Sequence, residues 1–173
     1  MAMRRSALLF LAVVCLLTTA AWSSETARVT RVVDGDTLVV SIAGEEERVR
    51  LIGVDTPETV HPQKPVEYFG KEASVFTKLM AEGRTVRLEG DPQNFDRDKY
   101  RRLLRYVYLP DGRLLNAEII RQGYGFAYTR FPFSKMEEFR VLERDAREAG
   151  RGLWADESAA TSQADTKPPV ARP

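Results

Sequence analysis

The segment from Arg50 to Pro62, RLIGVDTPETVHP, places charged side chains where an apolar run ends. Asp55 follows the apolar residues directly, Glu58 comes three positions later, and Arg50 stands five positions before Asp55. Two carboxylates beside a guanidinium can bind a hard cation and an anion. In a simpler interpretation, Asp55 ends the strand in an Asx turn and Pro57 stiffens the loop. That interpretation gives no role to Glu58.

The spacing of Arg50 and Asp55 has a structural consequence. Successive side chains of a strand point to opposite faces, so an odd separation places these two residues on different faces. Both can reach one ligand only if the chain twists or bulges between them. Gly53 lies in this interval and makes a bulge plausible.

A second acidic segment is VVDGDTL, which separates two runs rich in β-branched residues. Asp34 and Gly35 are typical of a plain hairpin turn, and the turn explains most of this segment. Asp36 is an additional acid on the strand side, which a turn does not require. It is therefore a candidate partner for Asp55.

A basic segment, DRDKYRRLLRY, contains Tyr100 among its charges. Such charge runs are usually solvated loops. Five aromatic residues then follow within one short region, where they either pack in the core and its rim or stack on bases. These are Tyr124, Phe126, Tyr128, Phe131 and Phe133.

Taken together, these segments favour phosphodiester chemistry. Asp36 and Asp55 could hold a divalent cation, Glu58 could act on a water molecule, and two arginines could bind the phosphate. The chain contains one His and one Cys, too few for an ordinary zinc site, so a metal should be a hard cation bound by oxygen.

The first 21 residues have the pattern of a secretory signal peptide. A basic start containing Arg4 and Arg5 precedes the apolar run Ser6–Ala21, and small residues at Thr19 and Ala21 suit cleavage. The run is short for a membrane span, so an uncleaved anchor is the lesser alternative. Cleavage would remove the single Cys and change the net charge from +1 to about −1. Net charge therefore does not indicate a nucleic-acid binder.

The remaining pattern predicts an α+β domain over residues 27–157 and a disordered tail over 158–173. In the first helix, Ala73, Phe76, Leu79 and Met80 are expected to share a buried face. In the last helix, a capping box of Ser134 and Glu137 is expected at the start, with Gly150 at the end. The segment AGEEE is expected to form a turn. Strands are predicted at 27–33, 37–42, 48–54, 84–90 and 103–109, and helices at 70–83, 114–122 and 134–150.

Five short strands with three helices suggest a five-stranded OB-fold β-barrel. Strand and helix periodicity alone leaves an open α+β sheet almost equally acceptable.

At this point the sequence resembles the staphylococcal nuclease family, secreted thermonucleases with an OB-fold barrel and three helices. The resemblance covers residues 29 to about 157. It rests on segments that occur in the expected order and spacing: DGDT, RLIGVDTPET.HP, EYFGKEAS.FTK, DKY.R.L.YVY..DGR..N and RQG.

The resemblance implies roles for individual residues. The calcium carboxylates of the family match Asp36 and Asp55, and the residue whose main-chain oxygen binds calcium matches Thr56. The general base matches Glu58. The remaining matches are the catalytic arginines, Arg50 and Arg102, and the nucleotide-binding residues, Lys99, Tyr100 and, across a one-residue gap, Tyr128.

The family resemblance also implies an activity. We expect a secreted or periplasmic, calcium-dependent endonuclease that acts as a monomer. It should cleave DNA and RNA with little sequence preference and leave 3′-phosphates. No stable membrane insertion is expected once the signal peptide is removed.

Two positions depart from the family pattern. Arg101 stands where the family commonly has Gly, and Arg105 stands where a small residue is usual. The catalytic loop is therefore expected to differ in backbone shape. Arg101 is expected to face outward and to contact a neighbouring phosphate of a longer substrate.

Two alternatives remain. A catalytically decayed module on the same fold would only bind single-stranded nucleic acid, but such a module should have lost an Asp, Arg or Glu of the set, and none is missing. A serine hydrolase using His61 lacks a G-x-S-x-G segment, and His61 is better interpreted as a loop residue.

Overall fold

The computed structural model describes residues 24–59 and 67–155. The predicted signal peptide, the predicted tail and His61 lie outside these residues. Within them, the strands are β1 Glu25–Asp34, β2 Thr37–Ile42, β3 Glu45–Leu51, β4 Val54–Asp55, β5 Thr85–Glu89, β6 Leu103–Tyr108 and β7 Phe126–Ala127. The helices are α1 Gly70–Ala81, α2 Leu115–Arg121 and α3 Met136–Glu148, followed by a 3₁₀ turn at Gly152–Trp154.

Five strands form a closed barrel in the order β1-β2-β3-β6-β5, with β5 pairing back to β1. The pairs are antiparallel except for β3 with β6, which run parallel. The other two strands, β4 and β7, pair beside the barrel. The barrel and three helices confirm the predicted α+β OB-fold architecture, and closure excludes the open sheet.

The barrel interior is filled by aliphatic side chains, as the alternating strand patterns require. Phe139 of α3 is fully buried and packs edge-on against Tyr106 of β6. Within the described ranges, no helix combines the length and apolar character needed to cross a membrane.

The β2–β3 connection is tighter than predicted. Only Ala43 and Gly44 form the turn, both with positive φ, and Glu45 already pairs with Ile42. The prediction that AGEEE forms the turn was wrong because the three glutamates are exposed or half-exposed strand residues. A run of charged residues is typical of a loop, but it also fits a barrel strand because one face of such a strand is exposed to solvent.

Helix α1 is buried along a different stripe from the one predicted. Ala73 and Thr77 are fully buried and Phe76 and Met80 pack against the core, whereas Leu79 is 72% exposed. At 100° per residue, positions 73, 76, 77 and 80 share one face and position 79 lies outside it. The prediction that Leu79 is buried was therefore wrong, because it relied on the apolar side chain and not on the position of the residue around the helix.

Thr77 connects α1 to the acidic turn. Its hydroxyl donates to the carbonyl oxygen of Gly35 at 2.7 Å, and both residues are buried. The turn itself lies so close to Thr56 that a Cβ on Gly35 would stand 2.6 Å from Oγ1 of Thr56. Gly35 is therefore required for this close approach.

The predicted capping box does not form. Helix α3 begins at Met136, and no side chain caps its N-terminus. The Ser134 hydroxyl bonds instead to Oδ1 of Asp91 at 3.1 Å, and its backbone N–H donates to Oδ2 at 2.7 Å. The Ser134 hydroxyl, which the local pattern predicted as the helix cap, is thus bonded to a carboxylate that is distant in the sequence. The predicted end is confirmed, since Gly150 has φ 59 just beyond the helix.

Candidate active site

The chain bends between β3 and β4, and this bend brings Arg50 to Asp55. Gly53 has φ 71, a conformation that a side chain would strain, and a Cβ there would lie 2.5 Å from Phe133. The buried side chain of Asn116 fixes the bend by donating to the carbonyl oxygen of Ile52 at 2.9 Å. The predicted irregularity near Gly53 is therefore present.

Arg50 joins the two predicted carboxylates. Its Nη2 lies 3.0 Å from Oδ2 of Asp36 and 3.0 Å from Oδ1 of Asp55. Its Nη1 donates to the carbonyl oxygen of Val54 at 2.6 Å. The guanidinium is thereby fixed in plane and position, with only 15% of its side chain exposed.

Thr56 lies against the same carboxylate. Its backbone N–H donates to Oδ2 of Asp36 at 3.2 Å, and the residue is buried. Its hydroxyl oxygen has no hydrogen-bond partner among the described residues. A buried hydroxyl without a partner beside a carboxylate leaves an oxygen donor in place for a cation.

The donor set fits a hard cation. One oxygen of Asp36 and one oxygen of Asp55 each lie 3.0 Å from Nη2 of Arg50. The two carboxylates are therefore close enough to be ligands of one cation. Within the described ranges, no group of three or more His, Cys, Asp or Glu side chains is placed to hold a metal. A site built on two carboxylates must be completed by hydroxyl, main-chain or water oxygens.

Two carboxyl groups at this corner have a raised pKa. Burial raises the pKa of Asp55, and the charges of Asp36 and Glu67 raise it further, although Arg50 acts in the opposite direction. Burial also raises the pKa of Asp34 to about 6. Neighbouring carboxylates at this corner thus contribute to the raised pKa of both Asp34 and Asp55.

Glu58 follows Asp55 around the loop and lies next to Asp34. A hydrogen bond between the Glu58 and Asp34 side chains also contributes to the raised pKa of Asp34. The backbone N–H of Glu58 donates to Oε2 of Glu67 at 3.1 Å. Thr59 closes the loop onto the acidic turn, since its hydroxyl donates to Oδ1 of Asp34 at 2.7 Å.

Arg102 enters the site from the loop before β6. Its Nε and Nη2 each lie 2.7 Å from Oδ2 of Asp98. Burial alone would raise the pKa of Asp98, but hydrogen bonds from Arg102 hold it below its ordinary range. Nη1 of Arg102 reaches the hydroxyl of Thr37 at 3.4 Å, and that hydroxyl donates to Oδ1 of Asp36 at 2.9 Å. Arg102 and Arg50 are thus linked through Thr37 and Asp36.

The predicted nucleotide-binding pair lies beside Arg102. Tyr100 is 67% exposed, with the Lys99 ammonium 4.9 Å and the Arg102 guanidinium 5.4 Å from its ring centroid. Both cations lie within cation–π range of a ring that remains largely exposed beside the arginine.

Arg101 adopts an unusual backbone conformation. Its φ is 64, the left-handed region that Gly occupies freely, and its side chain is exposed. Its N–H donates to the carbonyl oxygen of Asp98 at 2.9 Å, and its own carbonyl accepts from Arg97 at 2.9 Å. The loop therefore has a glycine-type conformation with arginine in it, and the expectation that Arg101 faces outward is confirmed.

Arg105 has a structural role away from the two site arginines. It is buried, and it pairs with Glu25 at 3.2 Å and with Asp96 at 2.7 Å. These pairs join the start of β1 to the loop before β6. Arg105 therefore anchors the loop before β6 and does not enlarge the exposed basic surface.

The aromatic residues separate into two groups. Tyr124 stacks on Phe76 with centroids 4.2 Å apart, Phe126 packs against Trp154, and Phe133 is buried. Core packing explains these three. Tyr128 is half-buried at the rim, and its N–H donates to the carbonyl oxygen of Gly53 at 2.9 Å, which fixes it beside the site.

Four supporting residues were not identified in the sequence. The sequence predicts Asp34 only as part of a turn, although it lies two positions before Asp36. Asp98 precedes Arg102 by four positions, and that spacing of opposite charges was a usable signal. Thr37 and Glu67 carry no local signal, because their roles depend on contacts made only in the folded chain.

Comparison with known proteins identifies the family. The family model described as staphylococcal nuclease homologue matches residues 48–156. The thermonuclease of Staphylococcus hyicus is 38% identical over 135 residues, covering 78% of each chain. The thermonuclease of Staphylococcus intermedius is 42% identical over 130 residues, 73% of this chain and 74% of the relative. Endonuclease YncB of Bacillus subtilis (strain 168) is 35% identical over 135 residues, 77% of this chain and 63% of the relative. The chain belongs to the staphylococcal nuclease family.

Proposed function

We propose that this nuclease is a calcium-dependent phosphodiesterase that cleaves DNA and RNA and leaves 3′-phosphates. The observation that carries the proposal is the position of Arg50, with one nitrogen 3.0 Å from each of two carboxylates. Asp36, Asp55 and the main-chain oxygen of Thr56 would hold calcium, which would supply positive charge beside the phosphate.

Glu58 is the proposed general base. It accepts a proton from the attacking water, and the water oxygen forms a bond to phosphorus. The bond from phosphorus to the 5′ oxygen breaks, the 5′ oxygen takes up a proton, and the phosphate remains on the 3′ oxygen. The loop contacts to Asp34 and Glu67 support this role because they hold Glu58 at the acidic turn.

Arg50 and Arg102 are the proposed phosphate ligands. A guanidinium can donate to two phosphate oxygens at once and can stabilise the charge that develops on them. Each arginine is already oriented by a carboxylate, Arg50 by Asp36 and Asp55, and Arg102 by Asp98. Such preorganisation means that little reorientation is needed during the reaction.

Lys99, Tyr100, Arg101 and Tyr128 are the proposed substrate-binding residues. The cationic side chains can contact phosphates, and the rings offer faces to any base. These contacts do not depend on base identity, which supports low sequence preference and action on both DNA and RNA. A monomer, exported to the periplasm or medium by the segment 1–21, completes the proposal.

The test is digestion of a labelled single-stranded DNA with calcium, with magnesium and with chelator, followed by identification of the product ends. We expect cleavage with calcium, loss with chelator, and 3′-phosphate ends. Full activity after exhaustive chelation would contradict the metal assignment. Binding of the DNA without cleavage under every condition would favour the decayed binding module.

A further inference from the structure

Two phenylalanines outside the proposed catalytic set are strongly exposed. Phe95 is 87% exposed and Phe131 is 58% exposed. Exposed aliphatic residues of the described ranges, including Leu79 and Val141, lie on the outer faces of helices, where scattered apolar side chains are ordinary. The two phenylalanines instead lie on loops that border the site.

Phe131 is connected to the site through Tyr128. Their ring centroids are 6.1 Å apart, with the planes inclined at 56°. Tyr128 is bonded to the backbone of Gly53, and the neighbouring strand residue Phe126 pairs with Asp55. The adjacent rings of Tyr128 and Phe131 are therefore attached, through the backbone of Tyr128, to the bend that positions Asp55.

Phe95 lies on a second loop, which contacts the loop of Phe131. The side chain of Asn94 donates to the carbonyl oxygen of Pro132 at 3.2 Å, so the residues next to Phe95 and Phe131 are in direct contact. Asp91 fixes the same two loops, since it accepts from both the backbone and the hydroxyl of Ser134. These three hydrogen bonds between the two loops thus hold the exposed rings on adjacent segments.

The charge near these rings suits a polyanion. The Arg130 guanidinium lies 5.9 Å from the centroid of the Phe131 ring, and no carboxylate in ranges 24–59 and 67–155 forms an ion pair with it. Exposed aromatic faces beside an unpaired cation are the combination that binds single-stranded nucleic acid, because bases stack while phosphates meet the cation. A base pair inside a duplex cannot offer its face in this way.

We propose that Phe131 and Phe95 form a stacking platform for bases of a single-stranded substrate, in the segment flanking the bond that is cleaved. Arg130 binds the phosphate of that segment. The inference rests on the proposed function and adds to it three residues that bind nucleotides flanking the cleaved bond, so their contribution should grow with the length of the strand.

The experiment measures KM and kcat for single-stranded oligonucleotides from a dinucleotide to about twelve nucleotides, within the usual range for OB folds. Phe95→Ala and Phe131→Ala should each raise KM for the longest strand about 5-fold or more and leave the dinucleotide unchanged. Phe95→Trp should retain the wild-type KM, whereas Phe95→Leu should behave like Phe95→Ala. Leu79→Ala is the matched control, because it removes an equally exposed side chain far from the platform.

Salt dependence separates stacking from charge. In binding measurements on Glu58→Gln protein, Arg130→Ala should reduce the slope of log affinity against log salt by about 0.7, the value for one phosphate of a single strand. The phenylalanine variants should weaken binding without changing that slope.

Other outcomes overturn the platform while leaving the proposed function intact. These are wild-type KM in both alanine variants, equal losses in Leu79→Ala, or losses on duplex as large as on single strands. A change in the oligomeric state of Phe95→Ala at micromolar concentration would assign the surface to protein association instead. If wild-type protein cleaves no substrate, the proposed function fails independently of these variants.

Discussion

Two clusters of acidic residues in this molecule differ in the direction of their pKa shifts. At the proposed metal site, burial raises the pKa of Asp55 and of Asp34, the latter to about 6. Asp91, which is bonded to Tyr106 and Ser134, is only 1% exposed. Burial would raise its pKa also, but hydrogen bonds from Tyr106 and from residues 93 and 134 lower it below the ordinary 3.8.

The difference lies in the charges around each carboxylate. Oδ2 of Asp91 accepts from the Tyr106 hydroxyl at 2.6 Å, and Oδ1 accepts from the backbone of Gln93 at 2.8 Å. Two further bonds from Ser134 complete the set. Asp34 and Asp36 accept hydrogen bonds too, but, besides burial, the charge of Asp36 raises the pKa of both Asp34 and Asp55. Carboxylates that repel one another in this way are a candidate cation site, whereas a carboxylate held only by hydrogen-bond donors stabilises the fold.

The largest expected effect tests the functional side of this comparison. Glu58→Gln should reduce the single-turnover cleavage rate about 10²–10⁴-fold, because the amide cannot accept the proton from water. Thermal stability and substrate affinity, measured separately, should remain close to wild type. Near-normal turnover in the variant would assign proton removal to another group.

Arg50→Lys should have the next largest effect, although it preserves the charge. An ammonium cannot donate in parallel to two phosphate oxygens, and it cannot reproduce the planar contacts of Arg50 with Asp36, Asp55 and Val54. Loss of one such donor typically reduces kcat about 10²–10³-fold. If lysine restores most of the activity, the arginine contributes only bulk positive charge.

Asp91→Asn tests the other cluster, in which the carboxylate is expected to stabilise the fold. An amide nitrogen cannot accept hydrogen bonds, so the donors on one oxygen of Asp91, either those that include the buried Tyr106 hydroxyl or those that include the N–H of Gln93, lose their acceptor. The free energy of unfolding should fall by about 1–3 kcal/mol at pH 7, with kcat unchanged. Urea denaturation measures the loss, and wild-type stability in this variant would mean that water replaces the carboxylate.

The same variant gives a pH dependence with a definite sign. A pKa lowered by folding means that ionised Asp91 stabilises the fold above the ordinary pKa of 3.8, and that this stabilisation is lost as pH falls through the lower, folded value. The difference between wild type and Asp91→Asn should therefore be constant near neutrality and should shrink below about pH 4. A difference that grew on acidification would contradict the direction of the shift.

The two clusters also differ in how far the sequence predicts them. Asp36, Arg50 and Asp55 lie at strand ends in recognisable segments, so their convergence follows from hairpin geometry and the bend at Gly53. The Asp91 cluster joins residues 43 positions apart and carries no local pattern. For that reason the sequence assigned Ser134 to a helix cap. The prediction for Leu79 was wrong for a different reason, because burial depends on the position of a residue around the helix as well as on its apolar character.

The smallest effect concerns Arg101, whose φ of 64 places arginine in a conformation suited to glycine. Arg101→Gly should relieve backbone strain, but glycine also increases the entropy of the unfolded chain, so stability should change by about 1 kcal/mol or less. Because Arg101 is exposed while Arg102 is held by Asp98, only long substrates should bind less well, with a salt slope reduced by about one unit or less. Cleavage at saturation and cleavage of a dinucleotide should stay near wild type. Arg102→Gly is the matched variant and should fail on every substrate. If the two phenotypes are exchanged, Arg101 is the residue that serves the scissile phosphate, and wild-type behaviour in both would remove this loop from the active site.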